Sequence, residues 1–166
     1  MKSTIHNSGR IMQKKYPCIL VPFDGSEFSK RALDEAIQVS KIFGSKLFVV
    51  MAVNEPITEP PGMFFGMIRG VAMDKAKEDY VDEAFYRANH ILQETAEYCR
   101  KKRLTVNYEV LKGHPADAIL EFSKKKDIGL IIMGNKGHHG VRKLKILGIV
   151  SRHVVENATC PVMIVH

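Results

Sequence analysis

The feature that most constrains this chain is a regular alternation of two hydrophobic periods. Cys18-Ile19-Leu20-Val21-Pro22-Phe23 is a short, continuous apolar run, as expected of a strand buried on both faces. It stops at Asp24-Gly25-Ser26, where Ser26 suits a helix N-cap and Glu27 a first-turn anion. Leu33, Ala36, Ile37 and Ser40 then recur at helical spacing up to Gly44, a C-terminal stop. Residues 47–53 predict a second buried strand. Val81, Ala84, Phe85, Ala88, Ile91, Leu92, Thr95, Ala96 and Cys99 predict one apolar face of a long helix. Residues 106–111 predict a third strand, whose polar Asn107 and Glu109 suit a sheet edge. After Gly113-His114-Pro115, a short helix points Ala116, Ile119, Leu120 and Ser123 inward. Residues 128–133, 147–157 and 162–165 predict a further strand, helix and strand. Repeated β-α units of this kind build an α/β fold, an open parallel sheet with helices on both faces, Rossmann-like in plan. The expected organisation is one domain over residues 17–166, preceded by a basic leader over residues 1–16.

Composition narrows the class. With 45% hydrophobic and 26% charged residues, the chain is neither disordered nor a disulfide scaffold. No apolar run approaches the roughly 18 residues of a membrane span, and the leader lacks the apolar core and cleavage site of a secretory signal. Three widely spaced cysteines fit a reducing cytosol, so a cytoplasmic protein is expected. The net charge of +7 comes largely from clusters at 100–103 and 124–126, at predicted helix ends, where cations complement the negative pole. No aromatic-rich strand motif or zinc spacing accompanies it, so neither nucleic acid nor membrane is expected as a partner. Residues 54–73 stand apart. Pro56, Pro60 and Pro61 break regular structure, while Met63, Phe64, Phe65 and Met67 need burial. The segment reads as an insertion packed on its own domain, a protein-facing patch over residues 56–70, or a lid over a ligand.

Open parallel sheets bind ligands beyond the carboxyl ends of their strands, where the winding reverses. That singles out Asp24 after the first strand, Val53 and Asn54 after the second, and Gly134-Asn135-Lys136-Gly137 after the fourth. Glycines at 134, 137 and 140 permit close backbone approach. Gly148 precedes the final helix, whose free N–H groups favour anions. Lys136, Arg142, Lys143 and Lys145 lie between them, a chemistry that suits phosphate. Neither a Walker A ending nor a GxGxxG fingerprint is present. His138 and His139 are adjacent and point apart, unlike the i, i+4 pair of a helical zinc site. Magnesium or manganese is therefore expected only as a passenger on nucleotide phosphates. Glu109, Asp117 and Glu121 show no paired-carboxylate spacing, and no nucleophile–base pair emerges. Dedicated catalysis is not expected; at most, slow ATP hydrolysis is.

These residues resemble the universal stress protein family from about Pro17 onward. Residues 19–26, Ile-Leu-Val-Pro-Phe-Asp-Gly-Ser, are similar to its first strand and turn. Residues 131–137, Gly148 and residues 160–165 are similar to its C-terminal signature. The resemblance implies a five-stranded parallel sheet in order 3-2-1-4-5, homodimers, and, in one branch, ATP binding. On that resemblance Pro22, Asp24 and Val53 border adenine and ribose. Met133, Gly134, Gly137, His138 and Gly140 belong to the nucleotide loop, and Gly148, Ile149, Val150 and Ser151 meet the phosphates. Two departures stand out. Ten residues, not the family's nine, separate Gly137 from Gly148, and Ile149 replaces a hydroxyl residue. One lost hydrogen bond to a charged group costs about 1.5–3 kcal/mol, which weakens binding without abolishing it. Ser151 is the substitute hydroxyl if the longer loop shifts the register. The implied function is a cytosolic stress-response sensor or regulator binding ATP or a related adenine nucleotide. The alternative is a nucleotide-free dimeric interaction module of the same fold. In the implied order residues 161–165 form an apolar edge strand without protective charges, expected to pair with its twin across a two-fold axis.

Overall fold

The computed structural model describes residues 15–54, 66–137 and 147–166, with residues 66–79 described by backbone alone. The elements follow as β1 (Cys18–Pro22), α1 (Glu27–Phe43), β2 (Lys46–Val53), α2 (Gly66–Lys101), β3 (Val106–Lys112), α3 (Pro115–Lys125), β4 (Leu130–Gly134), α4 (Ile149–Asn157) and β5 (Val162–Val165). The strands form one sheet in order β3-β2-β1-β4-β5, and every pairing is parallel. The expected α/β architecture and strand order are those observed.

Central strands carry side chains into both faces, which is why their sequences read as unbroken apolar runs. Ile19, Val21, Leu47, Val49, Leu130 and Ile132 pack beneath α1 and α2. Leu20, Val50, Ile131 and Met133 pack on the other face, beneath α3 and α4. Helix α1 begins where Ser26 Oγ accepts the Ser29 N–H at 3.2 Å. It ends at Gly44, whose φ of 63° is the left-handed conformation that glycine adopts freely. Its Leu33, Ala36, Ile37 and Ser40 are all buried.

Two expectations need correction. Segment 54–73 is not irregular throughout, because α2 already begins at Gly66. The three prolines all precede that point, and Gly66 and Gly70, which only weaken a helix, do not break one of 36 residues. Pro56 to Phe65 lie outside the described residues. On α2, Ala88, Leu92, Thr95 and Cys99 are buried, but Ile91 is 36% exposed. It sits about 100° around the helix from Leu92, off the seam that meets β2 and β3. Burial pushes the Cys99 thiol up to about 11, so it stays protonated and acts as packing.

Candidate functional site

The switch point of the winding lies between β1 and β4, and the chain after each strand meets there. Asp24 follows β1 on the surface, and its Oδ1 accepts the Ser26 N–H at 3.0 Å. That bond orders the turn into α1, in which Gly25 has φ 81°. From the other side comes Gly137. A Cβ built there would stand 2.6 Å from Asp24 Oδ2, so the backbone of the β4 loop lies directly against the Asp24 carboxylate. The structure thus brings together two residues that are 113 positions apart in the chain.

Gly134 is glycine for a different reason. A Cβ at this position would be 2.7 Å from Phe28 Cβ and 2.8 Å from its carbonyl carbon. The space is filled by the first turn of α1, so Gly134 lets β4 and α1 touch rather than opening room for a ligand.

Asn135 ties the neighbouring elements together. Its N–H donates to Val165 O at 2.9 Å, and its carbonyl accepts the Gly148 N–H at 2.8 Å. The side-chain amide is 3.0 Å from His166 Nδ1, and Asn135 Oδ1 is buried with no hydrogen-bond partner. The sequence marks Asn135 only as part of the segment after the fourth strand; its tie to β5 and α4 carries no sequence signal until those elements are known to converge on it. Lys136, grouped above with the phosphate-facing cations, is instead buried, at 7% exposure.

Helix α4 opens at Gly148, in extended backbone, with no side-chain cap and no acidic residue in the first turn. Its first N–H groups therefore lack side-chain partners from the chain's own cap, the condition under which a helix start accepts an anion. Ile149 projects outward, 83% exposed. Ser151 does not: its Oγ donates to Gly134 O at 3.0 Å, and the residue is 4% exposed. The expectation that Ser151 offers a hydroxyl to phosphate meets this obstacle, because the hydroxyl already joins α4 to the end of β4. Val150 is partly buried against the core. Pro22 is half-buried at the end of β1, whereas Val53 and Met133 are core residues at 9% and 4% exposure. Val53 also accepts the Gly113 N–H at 3.0 Å. His138 and Gly140 lie outside the described residues.

Nearby, Asp117 on α3 stands between two imidazoles, 3.4 Å from His114 Nδ1 and 3.4 Å from His153 Nε2 on α4. Among the described residues, no three histidine, cysteine or acidic side chains form a group that could hold a metal ion.

An open parallel α/β sheet, with an aspartate, a glycine and a helix start converging at its switch point, is a Rossmann-like ligand-binding plan. The profile of the universal stress protein family matches residues 15–166, and the chain belongs to that family. A universal stress protein of Thermus aquaticus is 31% identical over 156 residues, covering 90% of this chain and 98% of its own length. Universal stress protein MJ0531 of Methanocaldococcus jannaschii is 29% identical over 165 residues, covering 99% of this chain and 88% of its own. Among solved structures, UspA of Lactobacillus plantarum superposes with a TM-score of 0.78 at 22% identity, covering 91% of this chain and 98% of its own. A universal stress protein in complex with cAMP has a TM-score of 0.58 at 22% identity, with 92% and 98% covered. One from Archaeoglobus fulgidus in complex with dAMP has a TM-score of 0.50 at 19% identity, with 90% and 97% covered.

Proposed function

We propose that this universal stress protein binds ATP or a related adenine nucleotide at the switch point and acts as a cytoplasmic stress-response sensor or regulator. The observation that carries the reading is the contact of Gly137 with Asp24 beside the uncapped start of α4. A carboxylate on the surface of a β1 turn is suited to a ribose hydroxyl, and the helix start that follows the adjacent strand β4 is suited to phosphate. Likeness to proteins solved with cAMP and dAMP supports an adenine nucleotide as the ligand class. On this reading Pro22 and Val53 border the base, and the backbone N–H groups of Ile149, Val150 and Ser151 face the phosphates. Magnesium or manganese would arrive with those phosphates, and any hydrolysis is slow.

A second reading, a nucleotide-free dimeric interaction module, is favoured by Ile149 and by the engaged Ser151 hydroxyl. Mass spectrometry of the ligand that co-purifies, followed by calorimetry with ATP, AMP and cAMP, separates the two. Heat of binding from any of them supports the first; a ligand-free protein giving no heat with all three overturns it and leaves the second.

A further inference from the structure

We propose that the end of the sheet opposite the candidate site docks on an anionic lipid surface. In a parallel sheet every strand starts at the same end, and here the starts are level: Cys18 pairs with Lys46, and Leu47 with Val106. Every helix that follows a strand must return to that end, so the C-termini of α1, α2 and α3 meet it from both sides of the sheet. The basic clusters, far apart in sequence, are thereby gathered on one face. Lys41 ends α1, Arg100 and Lys101 end α2, and Arg103 leads into β3. Lys124, Lys125 and Lys126 end α3, and Lys46 opens β2 between them. All of these are exposed.

The opposing charge is small. In the same stretches, 41–46, 97–103 and 124–127, the acidic residues are Glu97 and Asp127, and Glu97 pairs with Arg100. Each helix C-terminus adds about half a negative charge, far less than the side chains supply. Helix-end complementarity therefore explains why a lysine stands at each position but leaves most of the gathered charge uncompensated.

Shape selects the partner. Among the described residues the face is made of element ends at one level, with no helix or ribbon projecting to enter a nucleic-acid groove. Ile42, 76% exposed, stands beside Lys41, where an apolar side chain suits the headgroup boundary of a bilayer and has no use on a phosphate backbone. The docking is independent of nucleotide binding, which occupies the other end of the sheet.

The test is sedimentation of the full chain with vesicles of phosphatidylcholine, alone or with phosphatidylserine at about a third of the lipid. Binding is expected only to the anionic vesicles, and it should fall steeply between about 0.05 M and 0.3 M salt. Reversing three exposed charges, Lys41→Glu with Lys124→Glu and Lys125→Glu, should weaken it at least about tenfold with circular dichroism unchanged. Absence of binding to anionic vesicles at low salt overturns the proposal. So does equal binding to neutral vesicles, or tighter binding to single-stranded or duplex nucleic acid than to anionic vesicles at the same salt.

Discussion

Gly134 ends β4 and Gly137 lies three residues further on, in the loop that follows, yet their missing side chains answer to different neighbours. At Gly134 a Cβ would press on backbone and Cβ atoms of Phe28, which cannot yield without moving α1. Gly134→Ala is therefore expected to lower stability by about 1–3 kcal/mol, the range for overpacking a tight contact, as read from urea unfolding. At Gly137 the same methyl would meet, among the described residues, only the end of the Asp24 side chain. Gly137→Ala should leave the unfolding midpoint nearly unchanged while displacing the carboxylate and weakening nucleotide binding by calorimetry. An unfolding midpoint shifted equally by both would refute the distinction. Asp34 gives a pH-dependent case. Burial pushes its carboxyl up, but hydrogen bonds from Lys102 at 2.7 Å and Tyr98 at 2.6 Å, with the Lys102 charge, together hold it below its ordinary value. A carboxyl lowered on folding stabilises the native state above its unfolded pKa and loses that contribution as pH falls through the folded value. Because Lys102 and Asp34 are 40% and 45% exposed, the effect is on the order of 1 kcal/mol or less. Wild type should thus exceed Asp34→Asn in urea midpoint at neutral pH, with the gap closing below about pH 4.

At the scale of elements, the proposed contact with phosphate turns on α4. Its first turn presents an outward isoleucine and an inward serine, so the proposed anion site would consist of backbone N–H groups with no hydroxyl. Placing one at the first helical position, Ile149→Ser, should tighten ATP by about tenfold, or 1.4 kcal/mol. Ser151→Ala should instead lower stability by about 1 kcal/mol, through the lost bond to Gly134 O, with affinity little changed. If Ser151→Ala weakens ATP and leaves the unfolding midpoint alone, the hydroxyl faces the ligand after all. The helices also show what sequence can carry. Helix α1 was legible at both ends because its signals are local: Ser26 caps the first turn and Gly44 reverses the last. Strand order followed from the resemblance, and the position of Asp24 from the rule for open sheets. The start of α2 was hidden by prolines just upstream. Long-range causes were hidden as well. Phe28 fixes Gly134 from a helix a hundred residues earlier, and Asn135 matters only because β5 and α4 close on it.

For the whole molecule, the two edges of the sheet are built differently. Strand β3 exposes Asn107, Glu109 and Lys112, polar and charged groups of the kind that discourage edge pairing. Strand β5 carries Val162, Met163, Ile164 and Val165, with Met163 37% exposed, and no charge along its length. Its inner side is fixed by the ladder to β4: Pro161 O accepts the Ile131 N–H at 3.0 Å, and Val165 O accepts the Asn135 N–H at 2.9 Å. A residue's N–H and C=O point to the same side of a strand, and the sides alternate along it. Residues 161, 163 and 165 therefore face β4, and the backbone groups of Val162 and Ile164 face outward, with no partner strand among the described residues. We expect a homodimer in which this edge pairs with itself about a two-fold axis. Proline at 163 would be a poor test, since it removes a donor of the inner ladder and harms the fold itself. Met163→Lys is the better one: it leaves the backbone intact and sets like charges opposite each other at the axis. Sedimentation should show a wild-type dimer at micromolar concentration and a Met163→Lys monomer with an unchanged circular dichroism spectrum. A monomeric wild type, or a variant that stays dimeric, would place the contact elsewhere or remove it.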